Sequence, residues 1–226
     1  MAMQLLRREV YLDRERKNML LVSEAGWDYS FRFTEIEKEI APLSEDPGLP
    51  QAFKFFCRNY YPLLASCVVE GAIPSPQEAF DLPRDVLDDW YYSVWKLNPD
   101  IISEKFTLKE QCEEVVFRDG TKVTVYKAAG VPSFLLKLIE LEEEAVQHPL
   151  EDDPQGQMFI SLFYPKMAAA CNGSKVPDAR TVRGWPRGEI AKWMDASRRL
   201  NPDWFLVTEE EQKIESKERT KKVRKR

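Results

Sequence analysis

Two stretches of this chain, residues 61–100 and 164–203, are similar to each other without a gap at an offset of 103 positions. Eleven of the 40 aligned positions are identical, whereas average composition gives about two or three. The shared residues are turn and core types: a Tyr-Pro pair, a later Pro, a Pro-Arg pair, a Trp and a closing Leu-Asn-Pro-Asp. A period near 100 indicates a domain duplication and not a solenoid.

The repeat predicts two modules and a tail: 1–103, 104–207 and 208–226. A β-hairpin is predicted to open each module. The run EEVVFRDGTKVTVYK places two β-rich strands around Asp119-Gly120, a strong hairpin signal, and REVYLDRERKNMLLV has a similar pattern without a glycine. The alternating run at 27–33 suggests a third strand, or it begins a helix that reaches 39. We therefore expect an α+β, mainly helical fold, with each hairpin followed by about three helices.

The helices are predicted from apolar spacing. Helices are expected at 52–69 and 132–147, and a closing helix follows Pro83 in the first module and Pro186 in the second, at the first helical position. Asn98 and Asn201 end these closing helices and tolerate a left-handed cap. A Tyr-Pro pair within 52–69 predicts either a kink or a break into two helices. The expected core anchors are Trp90, Trp193, Tyr61, Tyr164, Pro83 and Pro186.

Composition gives little sign of catalysis. The single histidine, His148, excludes a histidine-based metal cluster, and no nucleophile pattern accompanies it. Cys57, Cys67, Cys112 and Cys171 are dispersed and are interpreted as buried thiols. The four aspartates at 81, 85, 88 and 89 are expected to form a solvated acidic face. We therefore expect no enzyme activity, cofactor or metal. Because no signal peptide or membrane span is visible, we expect a cytoplasmic protein that does not contact membranes.

Three aromatic residues are candidates for partner binding because the repeat does not require them. Trp95, Tyr92 and Tyr91 align with Arg198, Asp195 and Met194, and Tyr92 and Trp95 are three residues apart on one helix face. Tyr91 is the least distinctive of them, because Met194 also suits a core position. Opposite charges, −5 on 61–100 and +4 on 164–203, suggest attraction between the modules, within a chain or between chains, although drift after duplication also explains them.

The hairpin, the run FFCRNYYPLLASCVVEG and the pattern P-x-x-x-L/I-x-x-W before Leu-Asn-Pro together resemble the tail assembly chaperones of long-tailed phages and prophages. The resemblance covers both modules but not the tail. It implies a protein without catalytic residues that binds the tape measure protein and assists polymerisation of the tail tube protein. Two fused modules are a departure from the family. An alternative is a nucleic-acid-associated adaptor that uses the basic end of the tail, where 217–226 carries seven basic residues and one acidic residue.

Overall fold

A computed structural model describes residues 5–102, 111–128, 130–147, 154–171 and 175–205. The fold is α+β and mainly helical, with two small antiparallel sheets, which confirms the predicted fold class. Position 104, where the second module is predicted to begin, His148 and the tail at 208–226 lie outside the described residues. None of the described helices is long and apolar enough to cross a membrane.

The first module has a three-stranded sheet and five helices, where a hairpin and about three helices were expected. In chain order the elements are β1 (Arg7–Tyr11), β2 (Met19–Ser23), α1 (Tyr29–Glu45), α2 (Gln51–Asn59), α3 (Tyr61–Ser66), β3 (Val68–Glu70), α4 (Pro76–Phe80) and α5 (Arg84–Leu97). The sheet order is β1-β2-β3, and both pairings are antiparallel.

The second module repeats this order except that no strand equivalent to β3 is present among its described residues. Its elements are β4 (Cys112–Val116), β5 (Lys122–Tyr126), α6 (Pro132–Gln147), α7 (Pro154–Met158), a π-helical turn (Phe159–Phe163), α8 (Tyr164–Ala169), α9 (Ala179–Arg183), α10 (Arg187–Leu200) and a 3₁₀ turn (Pro202–Phe205). Six elements of the first module, β2 and α1 to α5, begin 103 residues before their counterparts. That a duplication produced both modules stays a prediction.

Both predicted hairpins are present. In the second hairpin, Gly120 has a φ of 83°, and Arg16 in the turn of the first hairpin has a φ of 58°. The first hairpin therefore uses an arginine, and not a glycine, in the left-handed region. The third strand suggested at 27–33 is wrong, because α1 begins at Tyr29. Apolar side chains recur along α1 at helical spacing and face the first core: Tyr29, Ile36, Ile40 and Leu43.

The closing helices α5 and α10 match the prediction, but their caps differ from it. Pro83 and Pro186 are exposed and precede the helices, with ψ of 135° and 137°. They therefore set the helix start and are neither core residues nor the first helical position. Asn98 and Asn201 end the helices at φ of −132° and −130°, which is not the left-handed conformation expected for them.

The segment predicted as one helix at 52–69 is divided. Tyr60, with a φ of −116°, separates α2 from α3. Of the two predicted alternatives at Tyr-Pro, the break into two helices is confirmed and the kink is not. Residues from Val68 onward form β3 instead of continuing the helix. In the second module the π-helical turn occupies the corresponding place before Tyr164.

The core is divided into two main clusters that follow the two modules, and α6 connects them. Leu136 of α6 belongs to the cluster built by the first module, while Leu141 packs against the cluster of the second. Helix α6 contacts α2 and α5 on one side and α8 on the other. The first helix of the second module is therefore also part of the first module's core.

Candidate protein-binding surface

The two closing asparagines hold the same pair of backbone groups in each module. Asn98 Oδ1 accepts a hydrogen bond from Ala25 N at 2.6 Å, and its Nδ2 donates to Ser23 O at 3.3 Å. In the second module Asn201 makes the equivalent bonds to Ala128 N at 2.6 Å and Tyr126 O at 2.8 Å. Each asparagine therefore fixes the turn after a closing helix beside the segment that leads into α1 or α6.

The predicted aromatic anchors are buried. Trp90 and Trp193 are fully buried. The Tyr61 hydroxyl donates to Pro74 O at 2.8 Å, and the Tyr164 hydroxyl donates to Pro177 O at 3.0 Å. Burial raises the pKa of each tyrosine to about 12. The two tyrosines therefore connect the loop before each short helix to the module core.

The expected acidic face is only partly solvated. Asp81, Asp85 and Asp89 are exposed, but Asp88 is buried. Its two carboxylate oxygens accept hydrogen bonds from Ser133 N at 3.0 Å and Ser133 Oγ at 2.7 Å. The expectation of solvation is therefore wrong for Asp88, which supplies a negative charge at the first turn of α6, where unpaired N–H groups favour an anion.

The three aromatic residues predicted for partner binding lie in different environments. Tyr91 is buried and contacts Tyr60 edge to face at 5.4 Å between ring centroids, so its assignment to a surface is wrong. Tyr92 and Trp95 are half-buried and stack at 5.9 Å. The Arg8 guanidinium lies 5.3 Å from the centre of the Tyr92 ring. A role for Tyr92 and Trp95 in binding stays a prediction.

A more exposed apolar surface lies at the start of α1. We call it the α1 patch, and it consists of Leu5, Leu6, Trp27 and Phe31. Trp27 is 90% exposed and Phe31 is 64% exposed, and their rings contact edge to face at 6.0 Å. Leu5 and Leu6 are also exposed. Aromatic side chains presented this way are the residue types that dominate protein interfaces.

The local sequence explains the position of the α1 patch. The core-facing stripe of α1 passes through Tyr29 and Ile36, and Phe31 between them points the other way. Trp27 lies in the turn before α1, and its ring contacts that of Phe31. The chain before β1 is held alongside, because Leu6 N donates to Glu24 Oε2 at 3.0 Å and Glu24 N donates to Leu6 O at 3.0 Å. The alternating sequence at 27–33 fits a strand, and a strand gives no reason to place Phe31 on an exposed helix face. Helical spacing counted from Tyr29 does place it there.

An apolar concavity, separate from the α1 patch, lies between α2 and α6. It has a volume of about 660 Å³, and its apolar lining is Phe55, Leu135 and Ile139, all half-buried. Lys54, Arg58 and Glu45 are among its polar lining residues. The helices cover part of each of these apolar side chains. Each of them is therefore less exposed than Trp27 in the α1 patch.

The cysteines are free thiols, and three of them are buried. Burial raises the pKa of Cys57 and Cys67 to about 11 and that of Cys171 to about 12. Cys112 is exposed at the start of β4, so the interpretation of all four as buried is wrong there. Among the described residues, no group of three His, Cys, Asp or Glu side chains is arranged to hold a metal ion.

No family model, curated protein or solved structure matches this chain. Function is therefore inferred from the α1 patch and from the sequence motifs of the two modules.

Proposed function

We propose that this chain is a non-enzymatic tail assembly chaperone of a phage or prophage, and that the α1 patch binds the tape measure protein. The observation that carries the proposal is the exposed pair Trp27 and Phe31. The client is inferred from the motifs that resemble those of tail assembly chaperones. The surface that binds it is inferred from Trp27 and Phe31, which can contact an apolar segment.

The physical basis is the free energy gained when apolar surface leaves water. Burying apolar area contributes about 25 cal/mol per Å², and Trp and Phe offer large areas with few rotatable bonds. A tape measure protein is long and hydrophobic, and amphipathic helices bind apolar surfaces through residues spaced three and four apart. The α1 patch would shield such residues until the tail tube protein polymerises around the client. The work would take place in the cytoplasm of the bacterial host.

Co-expression tests the proposal. The client to test is the product of any long, coiled-coil-rich reading frame found next to this gene. We expect the wild-type chain to keep that protein in the soluble fraction and to co-purify with it. The double variant Trp27→Ala, Phe31→Ala should lose both effects while melting within a few degrees of wild type, because the removed side chains are largely in water.

A matched control removes apolar surface elsewhere. Ile73→Ala with Val146→Ala changes two exposed side chains, 42% and 75% exposed, outside the α1 patch. This variant should still keep the client soluble. The proposal fails if the wild-type chain does not hold the client, and the α1 patch is the wrong surface if the Trp27, Phe31 double variant still does.

A further inference from the structure

Phe134 in the second module shows what covers a phenylalanine at the site equivalent to Phe31. The two residues are 103 positions apart, on α6 and α1 respectively. Phe134 is 1% exposed. Its ring contacts the Tyr126 ring at 5.8 Å, and Trp204 of the 3₁₀ turn packs against the same small cluster, which includes Val131. Tyr126 therefore contacts Phe134 directly, and Trp204 covers the cluster to which Phe134 belongs.

Both covering residues are smaller in the first module. The position of Tyr126 is taken by Ser23, and that of Trp204 by Ile101. The turn after the closing helix keeps one backbone hydrogen bond in both modules, because Ile101 N donates to Asn98 O at 3.2 Å just as Trp204 N donates to Asn201 O at 3.2 Å. Phe31 is 64% exposed, and the turn that corresponds to the one carrying Trp204 has an isoleucine in place of the indole.

The first module also adds apolar surface at this site. Trp27 stands where the second module has Gly130, and its ring borders Phe31 without burying it. The site thus combines a retained phenylalanine, an added indole and a reduced cover. In the second module the same site is filled from within the chain.

We infer that the α1 patch is an open receptor for an aromatic side chain that a partner protein carries on a short helical turn, as Trp204 is carried in the second module. The identification of that partner as the tape measure protein rests on the proposed function. The aromatic nature of the side chain that binds is inferred from Trp204, because the equivalent site of the second module holds an indole.

The test supplies the missing indole from within the chain. Ile101→Trp places an indole on the turn that corresponds to the one carrying Trp204. We expect the melting temperature to rise by about 2–4 °C, and binding of a dye that reports exposed apolar surface to fall. Phe31→Ala should remove this gain in the Ile101→Trp background and change little alone. Val146→Trp, an indole added at an exposed position of α6, is the control and should give no gain.

The outcomes separate the receptor from its partner. An Ile101→Trp variant with no gain, or with a gain that survives Phe31→Ala, overturns the receptor. A gain that depends on Phe31 supports it, and the variant should then also fail to keep the tape measure protein soluble. If the gain depends on Phe31 and the client is still held, the receptor stands and the proposed client site fails. A wild-type dimer that Ile101→Trp converts to a monomer would show a second copy as occupant and overturn the client assignment.

Discussion

The Asp88 carboxylate lies at the first turn of α6 and accepts hydrogen bonds from both the backbone N–H and the hydroxyl of Ser133. This contact joins the closing helix of the first module to the first long helix of the second. Arg84 and Glu140 form an ion pair at 2.7 Å along the same two helices. The modules therefore meet where α6 packs against α2 and α5. Glu140 lies outside the basic segment 164–203, so attraction between the acidic and basic segments, within a chain or between chains, stays a prediction.

Asp88→Ala should destabilise the fold by about 2–3 kcal/mol. The change leaves a buried N–H and a buried hydroxyl of Ser133 without their acceptor, and hydrogen bonds to a charged group contribute about 1.5–3 kcal/mol. Urea unfolding measures the loss. Asp89→Ala, at the exposed neighbour, is the control and should stay within about 0.5 kcal/mol of wild type. Equal values for the two variants would contradict a structural role for Asp88.

The closing asparagines should be equally sensitive. Asn98→Ala and Asn201→Ala each remove an acceptor and a donor from one buried and one part-buried backbone group, and a buried group left unsatisfied costs about 1–3 kcal/mol. Asn98→Asp and Asn201→Asp should cost more, because they bury a charge and place an acceptor against the carbonyls of Ser23 and Tyr126. Chemical unfolding of all four variants measures these losses. A large loss at one asparagine and none at the other would argue against equivalent roles. Asn59→Ala, at an exposed asparagine, should be nearly neutral.

The elements that the sequence predicts correctly are those whose signals lie within a few neighbouring residues. The closing helices, α6 and both hairpins follow from apolar spacing and from turn residues such as Asp119-Gly120, because their signals lie within a few residues. Helix α1 was ambiguous, because the alternating run at 27–33 fits a strand as well as a helix start. The short helices α4 and α9 hold only five residues each, too few for a periodic pattern.

The site was harder to predict than the fold. Asp88 belongs to a run of acidic residues, and its partner Ser133 is 45 positions away, so the sequence gives no sign of its burial. Tyr91 is core because Tyr60 of the preceding helix break reaches it, which is also a tertiary effect. The α1 patch lies where the first module has Ser23 and Ile101 in place of Tyr126 and Trp204, a difference that is visible only when the two modules are compared position by position.

Thiol accessibility gives a direct check on the four cysteines. A thiol reagent should label one cysteine in the native chain, Cys112, and all four after denaturation. Burial raises the pKa of Cys57, Cys67 and Cys171, so these thiols ionise in the unfolded chain before they do in the folded one. Stability should therefore be unaffected by them below about pH 8 and should fall as the pH rises past the ordinary thiol pKa of about 8.5. Rapid native labelling of a second cysteine would contradict the described packing.

Hydrogen exchange of the chain bound to the tape measure protein tests the central claim most directly. Binding at the α1 patch should slow amide exchange in the segment that leads into α1 and in the first turns of that helix, at 24–35, and beside Leu6. The second module's equivalent segment, already covered by Trp204, should change little. Protection confined to α5 around Tyr92 and Trp95, or equal protection in both modules, would contradict the assignment of the client to the α1 patch.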